Sequence, residues 1–90
     1  MSHYTIKSWS PFFQQIKAGK KLHDLRDMRD RNYKVGDELT LLEYEPFLGY
    51  YTGEELAVEI TYITSNKTPC AMSSSALDNN FCILSLKLLT

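Results

Sequence analysis

Eight consecutive residues, Gly19-Lys20-Lys21-Leu22-His23-Asp24-Leu25-Arg26, gather the side chains best suited to anion chemistry in this chain. An arginine grips a phosphate through two parallel N–H bonds, and a lysine adds a mobile point charge. An aspartate between them either orients the arginine or accepts from a base amino group. In an extended strand Asp24 and Arg26 share one face, whereas Lys21 has the parity of His23 and Leu25. The three converge only if Lys21 stays in the turn that Gly19 permits, or if a bulge intervenes. Nucleobases stack on rings and guanidinium planes, which makes Trp9, Tyr33, Tyr44, Tyr50 and Tyr51 the candidate stacking residues, Trp9 and Tyr50 foremost. Most rings in so small a fold pack in its core or rim. His23 reads as a strand surface residue rather than a base.

The charge around this segment is uneven. From Lys17 to Lys34 seven basic residues stand against Asp24, Asp27 and Asp30, a net +4, and from Val35 to Asn66 there are seven acids and no base. The whole chain sums to −1, so it is no polycation that coats nucleic acid by charge alone, and any such site must be a local patch. At 90 residues and 43% hydrophobic content, the sequence predicts a single domain spanning residues 1–90 that closes one core unaided. Cys70 and Cys82 lie in no CxxC pattern and have no histidine nearby, so neither a metal site nor a disulfide framework is expected, and Cys82 sits in an apolar run as core. No cofactor is implied. The start, MSHYTIKSW, lacks a basic region followed by an apolar one, and no 18 apolar residues run together. The expectation is a cytoplasmic protein with no membrane partner.

The elements that must position the charged segment are mostly short strands. His3 to Trp9 alternates, with Thr5, Lys7 and Trp9 on one side, and predicts a first strand. Ser10 at the cap and Pro11 at the first helical position open a helix of about two turns to Ala18, with Phe12, Phe13 and Ile16 as its stripe and Gly19 as its stop. Leu22 to Asp27 reads as a second strand leading into a polar crossing, Met28 to Lys34. Val35-Gly36-Asp37 turns into a third strand, Glu38 to Glu45, which Pro46-Phe47-Leu48-Gly49 ends. Tyr50-Tyr51-Thr52-Gly53 reads as a turn-bearing connection before a fourth strand, Glu55 to Thr64. A polar loop from Ser65 to Asn80, with a single turn at Ala76-Leu77, precedes a last strand, Phe81 to Leu89. No repeat is present. One helix among about five strands gives an α+β fold: a curled or closed, mostly antiparallel sheet with one N-terminal helix.

The Gly19 to Arg26 segment resembles the G-x-K-x-x-E-x-R signature of ASCH domains in the PUA-like superfamily: Gly19, Lys21 and Arg26 match, and Asp24 stands where the family has Glu. The wider pattern is similar to the DUF3850 subgroup. That likeness runs through Pro11 to Gly19, Asp30 to Asp37, Leu42-Glu43-Tyr44-Glu45-Pro46, Tyr51 to Glu55, Thr61-Tyr62-Ile63 and Ile83 to Leu86. It covers most of the chain. It implies a small PUA-like β-barrel with a helix packed across it, and an RNA or nucleotide ligand in the cleft beside the signature.

Three functions follow. The first is an RNA- or nucleotide-binding module using Lys20, Lys21, Asp24, Arg26, Trp9 and Tyr50. The second is an amidohydrolase: one branch of bacterial ASCH domains resembles this chain and hydrolyses N4-acetylcytidine with a Lys, a Thr and a Glu. Lys21 and Asp24 would then be the catalytic positions. Lys21 matches, but the Thr position falls on Asp24, which has no hydroxyl to act as nucleophile, and Glu54, Glu55 and Glu59 compete for the Glu. The balance leans away from an enzyme. The third is a scaffold for a protein partner, which suits the acidic stretch.

Overall fold

The computed structural model describes residues 2–29 and 31–89, so Asp30 of the charged segment lies outside the described residues. Strand β1 (His3–Trp9) runs directly into helix α1 (Ser10–Lys17), followed by β2 (His23–Asp27), β3 (Glu38–Glu45), β4 (Tyr50–Thr64), a four-residue helix α2 (Ser73–Ala76) and β5 (Phe81–Leu88). The five strands form one sheet in the order β1-β3-β4-β5-β2. The β2–β5, β3–β4 and β4–β5 pairings are antiparallel, but β1 runs parallel to β3, so the sheet is mixed. Alternation in a sequence reports which face a residue takes and not the direction of the neighbouring strand. A parallel neighbour needs a crossover, which here is α1, β2 and the segment leading to Gly36.

The sheet curls into a half-barrel. No ladder joins β1 to β2 among the described residues; Arg26 on β2 bridges the two edges, its Nη2 donating to the Lys7 carbonyl on β1 at 2.7 Å. The inner face carries the alternating core residues Ile6, Leu39, Leu41, Leu56, Val58, Ile60, Cys82, Leu84 and Leu86, and α1 lays Phe13 and Ile16 across it. Cys82 is core, in keeping with its apolar neighbours. Phe12 departs from the expected stripe: it is half exposed and stacks on Trp9, with ring centroids 6.4 Å apart.

Other boundaries also shift for physical reasons. Trp9, not Ser10, holds the cap position of α1, and no side chain caps the helix there. The Ser10 hydroxyl donates instead to Glu43 Oε2 at 2.8 Å. Strand β4 begins at Tyr50, because Tyr50 and Tyr51 pair with Glu45 and Tyr44 in a hairpin, and Gly53 with φ 93° lets the strand continue through a register shift. Strand β2 starts one residue later than its alternation implies, and β5 ends at Leu88. Buried Asp37 ties the turn before β3, accepting the backbone N–H groups of Ser2 and Lys34 at 2.9 Å each. Among the described residues no helix is long and apolar enough to cross a membrane.

Candidate nucleic-acid interface

Gly19, with φ 77°, closes α1 and lets the chain reverse. The backbone N–H groups of Lys20 and Lys21 both donate to the Gln15 carbonyl, at 3.0 and 3.1 Å. This turn keeps Lys21 out of β2, and so releases it from strand parity. Its Nζ donates to the His23 carbonyl at 2.7 Å and stands 3.5 Å from Asp24 Oδ1. Asp24 Oδ2 in turn accepts Arg26 Nε at 2.6 Å. Lys21, Asp24 and Arg26 therefore converge, with Asp24 as the shared carboxylate and the Lys7 carbonyl as the far end of the chain of contacts.

Asp24 and Arg26 stand opposite Leu84 and Cys82 of β5, on the core-facing side of an edge strand. Burial, with the negative charges of Asp24 and Asp27 added to it, pushes the Cys82 thiol above its ordinary range. An aromatic flank adjoins the cluster: Lys21 Nζ lies 5.9 Å from the Phe12 ring, and Phe12 stacks on Trp9. On the outer face Trp9, Tyr44 and Tyr51 are register neighbours across β1, β3 and β4. Tyr44 and Tyr51 meet edge to face at 5.0 Å, and Lys7 Nζ sits 4.2 Å above the Tyr44 ring. Trp9 and Tyr51 are each 52% exposed, which leaves ring area for a ligand.

A groove of about 370 Å³ lies at the seam between the sheet edges, lined by Thr5, Ile6, Lys7, Arg26, Asp27, Arg31, Tyr33 and Tyr51. Three cations face one carboxylate there. That carboxylate, Asp27, is held by Arg29, whose side-chain hydrogen bonds, with a backbone bond added, keep its carboxyl below the ordinary carboxylate range. Arg31 also lies 5.7 Å over the Tyr4 ring, and Tyr4 packs edge to face on Tyr33 at 5.4 Å.

The residues named from sequence divide. Arg26 joins the groove; Lys21 and Asp24 flank it and hold Arg26 in place. Trp9 lies on the aromatic row beside it. Lys20 is exposed in the turn and does not line the groove, and Tyr50, opposite Glu45 at the hairpin, takes the face opposite to Tyr51. Glu54 pairs with Lys17 at 2.8 Å, Glu55 stands opposite Leu42, and Glu59 stands between Glu38 and Lys87. Lys7 was missed, although its place on one side of β1 with Trp9 is a signal in the alternation.

Glu43 was also missed. It is buried on the inner face, where Oε2 accepts Ser10 Oγ and Gln14 Nε2, both at 2.8 Å, and Oε1 accepts Thr52 Oγ1 at 2.7 Å. Burial alone pushes its carboxyl up, but the bonds from Gln14, Thr52 and Ser10, with the charge of Lys17, outweigh that and hold it below the ordinary value.

The model of a family described as a domain of unknown function (DUF3850) matches residues 3–86. No curated protein matches the chain.

Proposed function

The chain belongs to the DUF3850 family, whose description assigns no activity, and from that premise we propose that this protein binds single-stranded RNA or a nucleotide in the groove at the β1–β2 seam. The observation that carries the reading is the grouping of Lys7, Arg26 and Arg31 with Tyr33 and Tyr51 around one cavity whose carboxylate is already neutralised by a neighbouring arginine. Phosphate oxygens meet the guanidinium groups of Arg26 and Arg31, and unstacked bases meet the tyrosine and tryptophan rings. A duplex offers no splayed bases to these rings, so a single strand is the better fit. In the same reading the half-barrel is a PUA-like domain of the ASCH kind, acting in the cytoplasm, and the Gly19 to Arg26 signature serves to set the Arg26 side chain.

The hydrolase alternative is weaker. Lys21 Nζ is engaged by the His23 carbonyl and the Asp24 carboxylate, and position 24 supplies no hydroxyl. For the scaffold alternative the described residues offer the exposed apolar side chains of Phe47 and Leu48 at the hairpin tip rather than a lined cavity.

Fluorescence anisotropy of a short labelled oligouridine at low salt tests the proposal. Wild type binds, and Arg31→Ala loses a charge-assisted contact, which weakens affinity about 10- to 150-fold. No binding by wild type at low salt sinks the reading.

A further inference from the structure

A second cavity of about 380 Å³ continues the seam groove, and the two share Arg31 and Tyr33 in their walls. Arg29 and Lys67 add positive charge to its walls, but its floor and rim differ from those of the seam. Met28, Ile63 and Cys82 give it an apolar floor against the core, and Asn32 and Asn80 stand at its rim. Among the described residues the side-chain amides of Asn32 and Asn80 hold no hydrogen bond, although each offers two donors and an acceptor. An apolar floor, an aromatic wall and open amides are the complement of a flat heterocycle with polar edges, and amides are the side chains that read base edges in pairs. Inorganic phosphate or a sugar alone would leave the floor unused.

We propose that this cavity is the base-reading pocket of the protein. One nucleobase enters between Tyr33 and the apolar floor, its edge read by Asn32 and Asn80, while its phosphate sits on Arg31 at the junction with the seam groove. This rests on the nucleic-acid reading above and divides the work within it: the seam supplies charge and stacking for any sequence, and the amide pocket supplies base preference.

The test is a nuclear magnetic resonance titration of the ¹⁵N-labelled full chain with each of the four 5′-ribonucleoside monophosphates and, separately, with inorganic phosphate, all at millimolar concentration. The nucleotides move the Asn32 and Asn80 side-chain amide signals, and their affinities spread about 5- to 150-fold between best and worst base. Inorganic phosphate moves the Arg31 Nε signal and leaves both amides in place. The double variant Asn32→Ala, Asn80→Ala, checked for an unchanged backbone spectrum, keeps the phosphate response and compresses the spread to about twofold or less. Should the nucleotides move the arginine signals but neither amide, or the double variant keep the full spread, the base pocket is overturned while the seam groove stands. Should neither nucleotides nor phosphate move any signal, both readings fall together.

Discussion

Two carboxylates on the inner face of the sheet organise the two ends of this fold, and they do so by opposite means. Glu43, on the interior strand β3, is surrounded by neutral donors from α1 and β4 and is closed off from water. Asp24, on the edge strand β2, is surrounded by cations, and its side chain and that of Arg26 keep 14% and 24% of their surface exposed. A buried carboxylate with all its neighbours committed to it locks elements together and leaves nothing for a ligand. A carboxylate at a seam leaves part of its arginine facing outward, so it can prepare that arginine for an external anion. Glu43 therefore reads as the joint between helix and sheet, and Asp24 as the support of a binding group.

Substitution at Glu43 has the largest expected effect on stability. Glu43→Ala leaves the hydroxyls of Ser10 and Thr52 and the Gln14 amide without their acceptor and opens a cavity beside α1, so a loss of about 3–5 kcal/mol is expected in urea unfolding. For a domain of this size each kcal/mol corresponds to about 4–8 °C in melting temperature. A loss below about 1 kcal/mol would contradict the joint.

Arg26→Ala sharpens the contrast, since it should separate binding from stability. It removes the contacts to Asp24 and to the Lys7 carbonyl, which are partly solvated, so the stability cost is about 1–2 kcal/mol. Oligouridine affinity should fall more steeply, at least about tenfold. Lys21→Ala, which touches only the support, should weaken binding no more than about threefold, roughly the effect of a partly screened ion pair. Equal losses for the two variants would place Lys21 on the ligand itself.

Acid distinguishes the joint by sign. The Glu43 carboxyl titrates below its ordinary 4.5 in the folded chain. Its contribution is therefore complete above that value and fades as pH falls through the folded one. Melting temperature should drop between neutral pH and about pH 3.5 more in wild type than in Glu43→Gln, which has no charge to lose at that position. Parallel curves for the two proteins would remove Glu43 from the account. At the far end of the scale, Phe47, 90% exposed at the hairpin tip, touches neither region, and Phe47→Ser should change stability by no more than about 0.5 kcal/mol and leave oligouridine affinity unaltered.

What the chain reveals before folding follows the same division. The strands around Tyr4, Leu39, Val58 and Leu84 are written in period-two alternation, and the start of α1 in Ser10-Pro11. Lys21, Asp24 and Arg26 are legible because they are close in sequence and one glycine sets their turn. Glu43 is not, since its partners at Ser10, Gln14 and Thr52 come from three separate stretches and an acid inside an apolar strand looks like any other surface acid. The parallel β1–β3 pairing leaves no mark in alternation, and the Tyr50 to Gly53 turn signals mask a strand that passes through them by way of a glycine with positive φ. The amide pocket joins Asn32 to Asn80, forty-eight positions apart, and depends on the curl of the sheet.

The most direct test of the seam as a nucleic-acid site is the salt dependence of oligouridine binding. With Lys7, Arg26 and Arg31 engaging about two to three phosphates of a single strand, the slope of log K against log salt should lie between about −1.4 and −2.1 in wild type and become shallower by about 0.7 in Arg31→Ala. A wild-type slope near zero, or one that Arg31→Ala leaves unchanged, would contradict the claim that phosphates sit on this groove.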